Sequence, residues 1–166
     1  MKVTSTGIHD GIIADVYGHR GHRDQPGQMV TYSLPLVIAE APTGTVSYAI
    51  VIEDKDAVPV CGFSWIHWLV ANLQRTELLP NESFTATDYI QGTNSWSGKL
   101  GGLDRKTSSV YGGMSPPDTD HLYEIHVYAL DCLLDLKPGF YFNELHKAMD
   151  GHILDCHTLK GYYPTL

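Results

Sequence analysis

Over most of the chain the apolar residues fall in short runs, and these runs predict strands rather than helices. Val46 to Ile52 is largely apolar on both alternating faces, as in a buried sheet. Ser64-Trp65-Ile66-His67-Trp68-Leu69-Val70-Ala71-Asn72 reads as a second buried strand, and His121 to Ala129 as a third. Residues 7–30 are rich in Gly, His and Asp and predict short strands and turns around Asp10-Gly11 and Pro26-Gly27. Residues 91–113 hold six glycines together with Asn94, Ser95, Ser97, Ser108 and Ser109, which predicts a long irregular loop running into Ser115-Pro116-Pro117. Helical spacing emerges only late, through Leu145, Ala148, Met149, His152, Ile153, Cys156 and Leu159, with Asn143 as its N-cap. Strands that cluster early and in the middle, without βα alternation, predict a mainly β, mostly antiparallel fold with a late helix.

Composition narrows the class. The chain has 166 residues, 43% of them hydrophobic, which suggests one domain spanning 1–166. A chain of that size buries about two thirds of its unfolded surface, so its core needs neither a disulfide nor a structural metal. Eleven Lys and Arg against 19 Asp and Glu give a formal charge of −8. That balance argues against nucleic acid as a partner. No apolar stretch follows Met1-Lys2 as in a secretory signal, and runs such as Ala49-Ile50-Val51-Ile52 are too short to span a bilayer. Cys61, Cys132 and Cys156 are odd in number and form no CxxC pair, which suits free thiols in a reducing compartment. A cytoplasmic protein is the expectation. Cys156 beside His157 is a candidate nucleophile pair, but neighbours on a helix face different ways.

The informative feature is polar side chains set inside runs that otherwise call for burial. His67 lies among Trp65, Ile66, Trp68 and Leu69, on the strand face of Trp65 and Leu69. Asp54 closely follows Ile50-Val51-Ile52 at a strand end, and His121 and Tyr123 share one face of theirs. One such residue is more often a satisfied core group; four of them favour a pocket. Two imidazoles and a phenol would supply donors, and Gly112-Gly113-Met114-Ser115 can present backbone N–H groups to an anion. Asp54 fits such a site if it accepts a hydrogen bond from His67 or His121 and favours the protonated ring. The expected ligand is phosphate, sulfate or a carboxylate, bound more tightly at pH about 6 than about 8.

Four motifs in order carry a resemblance. Ile52-Glu53-Asp54-Lys55-Asp56-Ala57 resembles the DPDAP motif of the phosphatidylethanolamine-binding protein family. Trp65 to Asn72 is similar to that family's strand with a pocket histidine. Tyr111-Gly112-Gly113-Met114-Ser115-Pro116-Pro117 and His121-Leu122-Tyr123 are similar to its glycine-led Pro-Pro turn and His-x-Tyr motif, and Tyr128-Ala129-Leu130-Asp131 continues the match. The flavour is that of the bacterial and archaeal branch described as Raf-kinase-inhibitor-like. Ser33-Leu34-Pro35-Leu36 resembles that branch's entry strand, and Met149 to Leu154 its terminal helix. The resemblance implies a large antiparallel sheet packed on a smaller one, with peripheral helices including a C-terminal helix. It also implies an anion pocket built by Asp54, His67, Ser115, His121 and Tyr123. The departures are Lys55 in place of the first motif proline, Val58 before Pro59, and a short Asp118-Thr119-Asp120 whose two acids would weaken anion binding at the rim.

Other constellations carry less. His19-x-x-His22 has ligand spacing, yet zinc needs three or four ligands, so no metal and no cofactor is expected. Trp65, Trp68 and Trp96 could stack a ligand, with core packing favoured for the first two. A hydrolase using Asp54 with His67 or His121 as acid and base is the alternative, against which there is no GxSxG elbow and no clear nucleophile–base pair. A regulatory role through a protein partner, and a homodimer, stay open.

Overall fold

The computed structural model describes residues 1–21 and 29–165. The expected turn at Pro26-Gly27 and the candidate ligand His22 lie outside the described residues.

Near the N-terminus Asp10 and Gly11 take φ of 50° and 78°, the left-handed pair that closes a two-residue hairpin. It joins β2 (Ile8–His9) to β3 (Ile12–Ile13), as the Asp-Gly dipeptide predicts. The three apolar runs form β5 (Ser47–Asp54), β6 (Trp65–Leu73) and β9 (His121–Leu130). With β8 (Ile90–Gln91) and β10 (Ile153–Tyr163) they build a seven-stranded sheet in the order β2-β3-β10-β9-β5-β6-β8. All its pairings are antiparallel except the contact of β3 with β10. A second sheet of three strands orders β1 (Lys2–Thr4), β4 (Leu36–Ala39) and β7 (Glu77–Leu78) as β1-β4-β7.

The core lies between the two sheets. Val3, Leu36, Ile38 and Leu78 from the small sheet meet Ile50, Ile52, Trp68, Val70, Ile125 and Val127 from the large one. The opposite face of β5 and β6 buries Ala49, Val51, Leu69 and Ala71 beneath Leu145 and Met149 of α2 (Phe142–Met149). Both faces of these strands are therefore covered, which is why their sequences read as continuous apolar runs.

The late helix is present but shorter than its spacing predicts. Tyr141, not Asn143, is its N-cap, with the Glu144 carboxylate accepting from the Tyr141 N–H at 2.7 Å. The chain turns at Asp150-Gly151, Gly151 taking φ of 79°, and Ile153, Cys156 and Leu159 belong to β10. Pairing with β9 along ten residue positions outweighs a weak helical pattern. Because Cys156 and His157 are consecutive on a strand, they point to opposite faces and form no catalytic pair.

Candidate functional site

Strand register gathers the candidates at one end of the large sheet. Asp54, the last residue of β5, lies opposite Tyr123 of β9 and Trp65 of β6. Side chains two apart share a face, so His121 stands beside Tyr123 on the side that carries Ile50 and Ile52. His67 arrives by a different route. Ile52 pairs with Trp68 and Glu53 with Ile66, which leaves His67 as an extra residue in a β-bulge. The bulge puts His67 on the side of Trp65 and Trp68, whereas Leu69 packs on the opposite face, correcting the expected grouping of His67 with Leu69.

Asp54, His67, Ser115 and His121 line a cavity of about 200 Å³, with Trp65, Trp96, Pro117, Ala57, Val60 and Cys61 forming the rest of its wall. Tyr123 lies behind this wall. It is fully buried, its ring 5.1 Å from that of His67 and 6.5 Å from that of His121. Its hydroxyl has Asp54 and the Ser115 backbone as polar neighbours but closes no hydrogen bond. Burial, reinforced by the Asp54 charge, pushes its pKa far up, so it remains a neutral phenol. Trp65 and Trp96 are pocket walls stacked edge-on at 5.3 Å, and only Trp68 is the core residue expected of the first two tryptophans. The Trp65 indole N–H is buried without a partner among the described residues.

The two imidazoles differ in charge state. Nδ1–H of His67 donates to the Gly112 carbonyl at 2.8 Å, and Gly112 N–H returns a bond to the His67 carbonyl at 2.8 Å. A side chain at Gly112 would meet the Trp96 ring at 2.5 Å, so only glycine lets this loop lie against β6. Burial holds the His67 pKa below its ordinary 6.5. His67 is thus neutral near pH 7 and, with its proton on Nδ1, its Nε2 can accept but not donate. Nε2 closes no hydrogen bond among the described residues.

His121 is 1% exposed and has both nitrogens engaged by carboxylates. Nδ1–H donates to Asp54 Oδ2 and Nε2–H to Asp118 Oδ1, each at 2.8 Å. Asp54 is fixed in turn by the Ala57 N–H on its other oxygen at 3.1 Å. Burial alone would lower the His121 pKa, but the bonds to Asp54 and Asp118 outweigh it and hold the value above 6.5. With both ring nitrogens donating to carboxylates, His121 is the cationic group of the site, and no Lys or Arg among the described residues lines the cavity.

Three of the four N–H groups of the expected backbone cradle, all but that of Ser115, are used elsewhere. The N–H groups of Gly112, Gly113 and Met114 are consumed by the carbonyls of His67, Val30 and Tyr17. Ser115 closes no hydrogen bond with either imidazole among the described residues, so no nucleophile–base pair exists there. Groups with metal-ligand character among the described residues lie away from the cavity, at Asp131, Cys132 and His152 and at Glu53, Glu124 and His126. No helix among them is long and apolar enough to cross a membrane.

With this geometry, comparison with known proteins is decisive. The model of the family described as phosphatidylethanolamine-binding protein matches residues 4–164. The chain belongs to that family. It is 47% identical over 126 residues to YxkA of Bacillus subtilis, a match covering 74% of this chain and 75% of the relative. A UPF0098 protein of the archaeon Pyrococcus abyssi is 34% identical over 171 residues, covering 98% of this chain and 84% of that one. The crystal structure of the Chlamydia trachomatis homologue CT736 superposes with a TM-score of 0.80 at 29% identity, covering 99% and 97% of the two chains. The bacterial and archaeal branch and the two-sheet architecture expected from the motifs are those of the phosphatidylethanolamine-binding proteins. Trp65, Trp96, Cys61 and Asp118 are the site residues that the sequence pattern did not assign. Signals existed for three of them: Trp65 and Trp96 as aromatic rings able to stack a ligand, and Asp118 as a rim acid three residues before His121.

Proposed function

We propose that this protein is a binding module whose pocket takes one small oxyanion, phosphate or a phosphoryl group, between His121 and His67. The observation that carries the reading is buried His121, whose two ring nitrogens both bond carboxylates, on the wall of a cavity with no Lys or Arg among its described lining residues. A cavity of about 200 Å³ has room for roughly seven waters at about 30 Å³ each. That is below the roughly 300–1,000 Å³ of sites for larger ligands, and it suits a head group without its chains.

The pair of histidines sets the protonation state of the guest. His121 offers a donor, whereas neutral His67 offers an acceptor, so the best match is an oxyanion that keeps one O–H. Hydrogen phosphate and phosphomonoesters carry that proton near their second pKa of about 6, and phosphodiesters do not. The hydrolase alternative is weaker: no hydroxyl is hydrogen-bonded to His67 or His121 among the described residues. A regulatory role would follow if the oxyanion belongs to a partner protein.

Thermal shift and calorimetric titration separate these readings, with inorganic phosphate, phosphoethanolamine and the diester glycerophosphoethanolamine as probes. Saturable stabilisation by the first two, absent with the diester and lost in His121→Ala, is the expected result. Stabilisation by the diester alone would assign the pocket to intact phospholipid head groups. Turnover of phosphate or carboxylate esters that disappears in His121→Ala would overturn the binding-module reading.

A further inference from the structure

We propose that Asp118 is a tethered occupant of the anion site, so that an oxyanion enters by exchange with its carboxylate and Asp118 sets the affinity. This rests on the oxyanion reading of the pocket. The donor such a guest needs, His121 Nε2–H, already carries Asp118 Oδ1 at 2.8 Å. The two carboxylates on this ring are held very differently. Asp54 is buried and anchored by the Ala57 N–H, whereas the Asp118 side chain is 52% exposed, its remaining polar neighbours being backbone groups of its own turn at Asp118 and Thr119. Asp118 begins the three-residue segment that joins Pro117 to β9. It can swing into solvent without breaking a strand pairing, since β9 begins only at His121.

Charge makes exchange the favoured route. One imidazolium already stands between two carboxylates, and a guest added beside both would be a third negative charge with no second cation among the described residues of the cavity wall. Replacing Asp118 by the guest keeps the count at two acids and one cation. It also preserves the charge-assisted bond to Nε2, which is the strongest interaction on offer there. The consequence is selectivity: a ligand must outcompete a carboxylate delivered at high effective concentration by a segment of a few residues. Phosphate, with more oxygen acceptors and its own O–H for His67, meets that requirement better than acetate.

The test titrates wild type, Asp118→Ala and Asp118→Asn with inorganic phosphate and with acetate, a truncated copy of the removed side chain. Asp118→Ala is expected to bind phosphate about tenfold more tightly than wild type and to gain acetate binding that wild type lacks. Asp118→Asn, which keeps a neutral acceptor oxygen, should fall between the two. In parallel, the His121 Nε2 nitrogen resonance should move on removal of Asp118 and return toward its wild-type position when acetate is added. Equal phosphate affinity in wild type and Asp118→Ala would overturn the proposal while leaving the oxyanion reading intact. Absence of saturable binding in all three proteins would overturn both.

Discussion

Strand β9 carries two histidines five residues apart, each in contact with two carboxylates, one on each ring nitrogen of His121 but both on Nε2 of His126, whose Nδ1 bonds the Thr158 hydroxyl. His121, which lines the cavity with Asp54, bonds Asp54 and Asp118. His126 faces the other way, with Glu53 at 3.0 Å and Glu124 at 3.5 Å. Alternation explains the duplication, because Glu53 and Asp54 are consecutive on β5 and project from opposite faces. Around His126 the charges are neutralised on the spot: Lys55 and Lys160 pair with Glu124, and Ser64 donates to Glu53. His121 has no such lysine among the described residues and stands on a cavity wall. An imidazole between two acids is thus not in itself a binding site. What distinguishes a surface ion network from a candidate site is the lack of fixed cations, a cavity, and one acid that is free to leave.

The largest expected effect separates the two histidines directly. His121→Ala should abolish phosphate-dependent stabilisation, and His126→Ala should leave it intact; calorimetry of both variants checks this. Equal losses would erase the distinction. Next in size is folding stability. Asp54→Ala removes a buried partner of His121 and should cost about 3 kcal/mol in denaturant unfolding. Glu53→Ala, in the half-exposed network, should cost nearer 1 kcal/mol.

The pH dependence of stability should split the two arrays with opposite sign. The His121 pKa is raised, so its pairing stabilises the fold fully below about 6.5 and this contribution is lost as pH rises through the folded value. The groups facing His121 are Asp54 from β5, His67 from β6, Tyr123 beside it on β9, Cys61 from the helical turn at Val58–Cys61, and Asp118. Glu53 behaves in the opposite sense. Its bond to His126, opposed by burial and helped by Ser64 and Lys55, lowers its pKa from 4.5 to about 2. Its contribution is present above about 4.5 and disappears as pH falls toward about 2. Stability curves should therefore flatten above about pH 6.5 in His121→Ala and below about pH 4.5 in Glu53→Gln. The smallest effect belongs to Lys160→Ala, expected to cost less than about 1 kcal/mol and to fade with added salt.

Much of this architecture was legible from alternation alone. Strands β5 and β6 are apolar on both faces and β9 on one, so Asp54, His67 and His121 stood out as polar residues needing partners. Where the pattern failed, a tertiary cause is identifiable. The bulge at His67 adds a residue that a two-residue period cannot register, which put Leu69 on the wrong face and hid Trp65 as a pocket wall. Helical spacing carried past Met149 into β10 because that strand is half covered and its burial does not alternate cleanly. The glycine-rich loop was readable as irregular, but its N–H groups bond to His67, Val30 and Tyr17, residues far away in sequence. The contact of Asp118 with His121 depends on how the chain leaves Pro116-Pro117, which no periodicity encodes.

A crystal structure determined in saturating inorganic phosphate tests the central claim most directly. The account expects an oxyanion within hydrogen-bond distance of His121 Nε2, a second oxygen reaching His67, and the Asp118 carboxylate turned out to solvent. A cavity holding only water, with Asp118 still bonded to His121, would contradict it.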